Sequence, residues 1–153
     1  MLRAVRGGAP APRGPFAARD RRELTLAERR DLALARQIRD LSLLVRLTGP
    51  AAVLFCVQPF ADTGNRNQVP QERELLGAHD QRQGARWNRV REFALACWPR
   101  YAAALRAACQ DLGVGFLDLD ARSFDGWSFV DRVHLTDHGY AQAAEQITEM
   151  LEC

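Results

Sequence analysis

The chain has 153 residues, 47% of them hydrophobic, and a formal net charge of +2, which suits one globular domain. No apolar run approaches the ~20 residues of a membrane span, so a transmembrane helix is excluded. All 21 basic residues are arginine, a base-composition bias, and most are interleaved with Asp and Glu, so the charge gives no argument for a nucleic-acid partner.

Residues 1–22 are rich in Arg, Ala, Gly and Pro, with no acidic residue before Asp20. Such a segment is basic enough for a targeting arm, but it lacks Ser and any apolar core, and Pro10, Pro12 and Pro15 prevent a continuous amphipathic helix. It is expected to be a disordered tail, or sequence created by an upstream truncation or misplaced start. It is not a secretory signal, which leaves a cytoplasmic location as the default expectation.

Thr25 and Glu28 have the spacing of a capping box, so a helix opens there. Leu34, Ile38, Leu41 and Val45 give it one apolar stripe, and Thr48-Gly49-Pro50 closes it. The run Ala52–Val57 reads as a strand buried on both faces, as in a parallel sheet. Gln58-Pro59 ends that strand, and a polar loop from about Phe60 to Val69 follows. Ligands of open α/β sheets bind beyond the carboxyl ends of strands, which makes Gln58, Asn65 and Asn67 candidate polar contacts. Asp62-Thr63-Gly64-Asn65 is equally ordinary turn chemistry.

A helix opens at Val69-Pro70, and a longer helical region spans about Arg86 to Leu112, with Pro99 expected to kink or divide it. Trp87 and Trp98, at helical spacing, read as packing residues. Gly113 caps the region, and Val114–Leu119 forms the second strand. Asp118 and Asp120 at its carboxyl end are assigned turn or supporting roles. The alternation of helix and strand, with connections long enough for parallel pairing, is an α/β signature. The cysteines Cys56, Cys97, Cys109 and Cys153 show no metal or redox spacing and act as small hydrophobes.

The most informative stretch is Phe129–Tyr140. Asp131 precedes His134 by three residues, Thr136 N-caps a last helix, and Tyr140, Ala143, Ala144, Ile147 and Leu151 form that helix's expected buried stripe. A carboxylate can fix the tautomer of an imidazole and support its positive charge, leaving the other ring nitrogen to take a proton from a hydroxyl. Two other readings compete. His134 and His138 have the i, i+4 spacing of zinc ligands, but Thr136 as N-cap puts His134 outside the helix. An Asp and a His before a helix can also simply satisfy loop backbone groups.

Asp131-x-x-His134-Leu135-Thr136-x-x-Gly139, followed by a C-terminal amphipathic helix, resembles the last conserved block of the SGNH (GDSL-type) hydrolases. The resemblance implies an ester hydrolase acting through a serine acyl-enzyme, with His134 as general base and Asp131 orienting it. It implies a small-molecule ester substrate, no cofactor, and a three-layer α/β/α fold with parallel strands (the flavodoxin-like SGNH fold). It spans roughly residues 23–153, the C-terminal part of such a domain, so the N-terminal strands are expected to be missing. The Gly-Asp-Ser turn that supplies the nucleophile is also missing. The only serines are Ser42, Ser123 and Ser128, and none follows a strand in a nucleophile turn. The chain alone is therefore expected to be inactive. The alternative is a non-catalytic α/β interaction module, which self-associates or pairs with a partner through an open sheet edge.

Overall fold

A computed structural model of the chain describes residues 24–49, 51–63, 66 and 68–152. The expected tail at residues 1–22 lies outside the described residues. Helix α1 (Leu26–Thr48) begins with the predicted capping box: Thr25 Oγ1 accepts from the Glu28 N–H at 3.2 Å, and the Glu28 carboxylate accepts from the Thr25 N–H at 2.8 Å. Two of the orphan donors at the helix start are thereby satisfied. Leu41 is buried on the predicted stripe, with Leu34, Ile38 and Val45 half-buried beside it.

Strands β1 (Leu54–Val57) and β2 (Gly115–Asp118) pair in parallel, with Leu54 opposite Gly115 and Val57 opposite Asp118. Side chains alternate across the ribbon, as a pleat requires. Leu54, Cys56 and Leu117 join a cluster with Leu76, Phe124, Phe129, Leu135 and Ala143. On the other face, Phe55 stacks on Phe116 at 6.2 Å and packs with Leu41, Cys109 and Val114.

The expected three-layer α/β/α architecture does not form. Helix takes 67% of the described residues and strand 8%, in only two short strands. Each strand has four residues and pairs only with the other among the described residues. A ribbon of that width has no central strand, so it cannot serve as the sheet core of a layered fold. Its flanks are also open: Leu54, Phe55 and Cys56 are only half-buried, and only Val57 of β1 is fully covered. The fold is a mostly helical one, wrapped around a parallel two-stranded ribbon.

Helix α2 (Pro70–Leu112) is two helical segments joined at a break. The break falls at Gly84 (φ 75°, ψ −174°), which adopts a backbone conformation that side-chain-bearing residues avoid. Pro99, expected to kink or divide the helix, does not divide it: it lies inside α2 at helical φ/ψ. Trp98 stacks on Tyr101 at 5.8 Å, and Ala102 and Leu105 are buried one turn on. Packing on that scale offsets the ~3 kcal/mol cost of an interior proline. Gly113, left-handed at φ 68°, ends α2, and the Val114 N–H returns to the Cys109 carbonyl at 2.8 Å.

Asp118 caps a short 3-10 turn, Leu119–Ala121, by accepting from the N–H groups of Asp120 and Ala121. Asp120 accepts from the Phe60 N–H at 2.9 Å and from the Thr63 hydroxyl. Both aspartates therefore hold turns, as the sequence reading assigns them.

The last helix, α3 (Asp137–Leu151), is capped by Thr136, whose Oγ1 accepts from the Gly139 N–H at 3.1 Å. Its buried stripe is narrower than predicted. Ala143 is buried and Ile147 half-buried, whereas Tyr140 and Leu151 are 58% and 68% exposed. A ribbon of two strands is too narrow to cover a wider face.

Gly139 lies where the first turn of α3 crosses the Ser128 carbonyl. A Cβ there would sit 2.3 Å from that oxygen and 3.0 Å from Leu135 Cδ2. Gly139→Ala must therefore push α3 away from the preceding loop. A loss of about 1–3 kcal/mol is expected, read as a lower urea midpoint with an unchanged slope. An unchanged midpoint would show that the crossing can relax at no cost.

Candidate functional site: a histidine turn pinned to the core

The Asp131/His134 stretch is a loop with buried feet and an exposed tip. Phe129 and Leu135 form an antiparallel bridge and are 0% and 8% exposed. The Val130 N–H donates to the His134 carbonyl at 3.0 Å, and the Thr136 N–H donates to the Ser128 carbonyl at 2.9 Å. Phe and Leu at these positions drive the feet into the core by apolar burial. Between them Val130 and His134 face outward, while Arg132 turns back into the protein.

At the tip, one Asp131 oxygen accepts from the N–H groups of Val133 and His134, both at 2.8 Å. The other lies 2.7 Å from His134 Nδ1. A carboxylate in this role only accepts, so Nδ1 carries a proton and Nε2 is the nitrogen left outside the contact. The imidazole side chain is 63% exposed and that of Asp131 27%. Asp131 thus does two jobs at once: it closes the turn and orients the base. His138, in the first turn of α3, uses Nε2 on the Asp125 carbonyl at 3.0 Å.

Three tethers fix the loop to the rest of the chain. The Gln58 side-chain amide, at the end of β1, donates to the Val133 carbonyl. The Ala61 N–H donates to the Arg132 carbonyl at 3.1 Å. Glu72, fully buried in the first segment of α2, accepts from the Phe129 N–H at 2.8 Å and from Arg66 Nη2 at 2.8 Å. Arg66 also lies over the Phe129 ring at 4.1 Å. Gln58, a predicted substrate contact, therefore has its amide nitrogen committed to the loop. Asn65, the other predicted contact, and Asn67 lie outside the described residues.

The strongest attachment is one that sequence reasoning missed. Arg132, between Asp131 and His134, donates to Asp62 and to Asp80. Arg91 makes a bidentate pair with Asp62, both contacts at 2.6 Å, and reaches Asp80 at 3.5 Å. Trp87 Nε1 adds a hydrogen bond to Asp80 at 3.3 Å. Two guanidinium groups and two carboxylates alternate in one cluster, the arrangement in which charge-assisted bonds are strongest. Burial alone would push the Asp80 carboxyl up, but Arg132, the Trp87 N–H and Arg91 together hold it below the usual range. Asp62 pushes the Arg91 guanidinium above its usual value, mainly by hydrogen bonding.

None of the serines takes the nucleophile's place beside His134. Ser42 donates to the Ile38 carbonyl within α1. Ser128 is fully buried, donates to the Asp125 carbonyl at 2.8 Å and accepts from Gln142 at 3.2 Å. Ser123 is exposed. Among the described residues, no hydroxyl is hydrogen-bonded to His134.

Beside the Arg132 cluster lies a small apolar cavity of about 80 Å³, walled by residues that include Trp87, Trp98 and Val133. Comparison with known proteins adds no family: the sequence matches no family model and no curated protein.

The Asp131 carboxyl is held below the usual carboxylate range. Burial, its largest single influence, opposes this, but the Val133 N–H, the His134 ring and the His134 N–H outweigh it. A depressed acid stabilises the folded turn fully above the ordinary Asp value of ~3.9 and loses that contribution as pH falls through the lower folded value. The Val133 and His134 amide resonances should therefore show a shared transition below about pH 4, as Asp131 protonates and releases both N–H groups. In Asp131→Asn this acid transition should vanish. Its persistence in the variant would assign it to another group.

Proposed function

We propose that this chain carries the acid–base half of a serine-type ester hydrolase. His134 Nε2 is the base that takes the serine proton and later activates water, and Asp131 orients the ring. The observation that carries the reading is the 2.7 Å contact between Asp131 and His134 Nδ1 on an exposed tip whose feet are buried. A loop that merely satisfied its own backbone would need only one Asp131 oxygen. Here the second oxygen is used on the ring, and the other ring nitrogen remains available for chemistry. The SGNH-like wording of residues 131–139 supports the same reading.

The serine and the oxyanion donors must come from sequence beyond these 153 residues, on the same or a partner chain. Ester substrates fit the scheme: acetylated sugars, lipid esters or small acyl esters. The purified chain should not turn over p-nitrophenyl acetate in a serine-dependent way. The coding DNA upstream of Met1 should hold a Gly-Asp-Ser turn after an apolar strand. The joined polypeptide should then hydrolyse short esters, and His134→Ala should lower kcat by at least ~10³-fold. Turnover indifferent to His134, or an upstream frame without such a turn, would count against the reading.

A second reading, a non-catalytic interaction module, is favoured by a different observation. The outer edge of β1 has no partner strand among the described residues, and Leu43, Leu44 and Leu47 of α1 are 55%, 48% and 75% exposed. Unpaired strand edges and exposed apolar faces invite association. Light scattering on a size-exclusion column separates the readings: a module of this kind is a dimer or larger at micromolar concentration, whatever residue stands at 134.

A further inference from the structure

We propose that the chain stacks head to tail with copies of itself, the outer face of α1 in one copy docking on the outer face of α3 in the next. The pairing uses neither His134 nor the open edge of β1, so it stands apart from both readings above. Four observations carry it.

The first is where the apolar surface lies. Leu32, Leu43, Leu44 and Leu47 of α1 and Tyr140, Met150 and Leu151 of α3 are all exposed. They make up most of the large hydrophobics exposed among the described residues. Single exposed apolar side chains are ordinary, but rows of them on a helix mark a contact surface.

The second is patterning. Leu32, Leu43 and Leu47 recur at helical spacing on the side of α1 turned away from buried Leu41. That row is about 22 Å long. On α3, Tyr140, Ala144 and Leu151 form a row of about 16 Å that flanks buried Ala143.

The third is charge. α1 carries five arginines against three acids, and Arg36, Arg39 and Arg46 lie along the leucine row. α3 carries Asp137, Glu145 and Glu149 and neither Lys nor Arg. Pairing α1 with a second α1 would set arginines against arginines, and α3 with α3 would set carboxylates against carboxylates. Placing α1 on α3 brings opposite charges together around apolar side chains, and such complementarity selects the partner.

The fourth is placement. Leu41 and Val45 of α1 pack with Phe55 and Phe116 on one side of the ribbon. Ala143 and Ile147 of α3 pack with Leu54, Cys56 and Leu117 on the other. One copy therefore cannot cover its own α3 with its own α1. Complementary faces on opposite sides make a heterologous contact, which continues into a ring or an open stack.

Sedimentation velocity on the full chain tests this. The wild-type protein should grow past the dimer as its concentration rises through the micromolar range. Raising salt from about 0.05 M to 0.5 M should weaken the association by about fivefold. Leu43→Asp with Leu47→Asp removes the α1 face, and Ala144→Arg with Leu151→Arg removes the α3 face. All four positions are exposed, so both variants should fold, which circular dichroism checks. Each should be monomeric alone. An equal mixture should form a dimer and stop there, because each variant supplies the face that the other lacks. A mixture that stays monomeric would overturn the proposal. So would a wild-type chain that remains monomeric, whether or not it sediments with phosphatidylserine vesicles. An α3 variant that still associates while the α1 variant does not would show α1 pairing with itself. If both variants associate like the wild type, the contact lies elsewhere, such as the β1 edge; the interaction-module reading would then survive and this pairing would not.

Discussion

One guanidinium holds the candidate site together. Arg132 sits on the histidine turn, yet its bonds go to Asp62 in the loop after β1 and Asp80 in the first segment of α2. Its side chain is 11% exposed, and those of its partners are 8% and 17% exposed. Ion pairs on an open surface contribute little, but breaking a largely buried one leaves an uncompensated charge. The cluster therefore specifies where the turn sits more than it adds to net stability. Arg91, bound to Asp62 on its other side, carries the same constraint into the second segment of α2.

That constraint matters because the sheet is too small to impose one. In a wide parallel sheet, neighbouring strands set the positions of the loops at their carboxyl ends. Here the strands have four residues each, and three of the four in β1 are only half-buried. The fold places its loops by polar tethers instead. Gln58 and the Ala61 N–H reach the turn from beyond β1, and Glu72 reaches it from α2. Asp120 ties the loop after β1 to the end of β2. Each tether satisfies a backbone group that would otherwise be costly to bury. Together they hold an exposed imidazole in place without a rigid sheet beneath it.

The local elements were legible in the sequence because their signals are local. Thr25 with Glu28, Thr136 with Gly139, and Gly113 after Leu112 each act within one helical turn, through hydrogen bonds that hardly depend on the rest of the fold. The Asp131–His134 contact belongs to the same kind, since three residues of chain suffice to bring carboxylate to ring. Periodicity was less dependable. It named Leu41 and Ala143 correctly but also Tyr140 and Leu151, because a stripe only becomes a buried face when something is wide enough to cover it. Pro99 and Gly84 show the same limit. Chain geometry permits a break at either, and the packing of Trp98, Tyr101 and Leu105 decided against the proline.

By itself, then, the sequence determined the caps, the order of helices and strands, and the pairing of Asp131 with His134. These depend on short-range sterics and hydrogen bonds. Tertiary structure alone decided that the strands remain a two-stranded ribbon and not the core of a layered sheet. It alone brought Arg132 to Asp62 and Asp80, across separations of 70 and 52 residues. No spacing rule reaches that far: a charged side chain finds its partner only after apolar burial has set the segments side by side. The small cavity against Val133 arises the same way, as space left between elements that pack for other reasons.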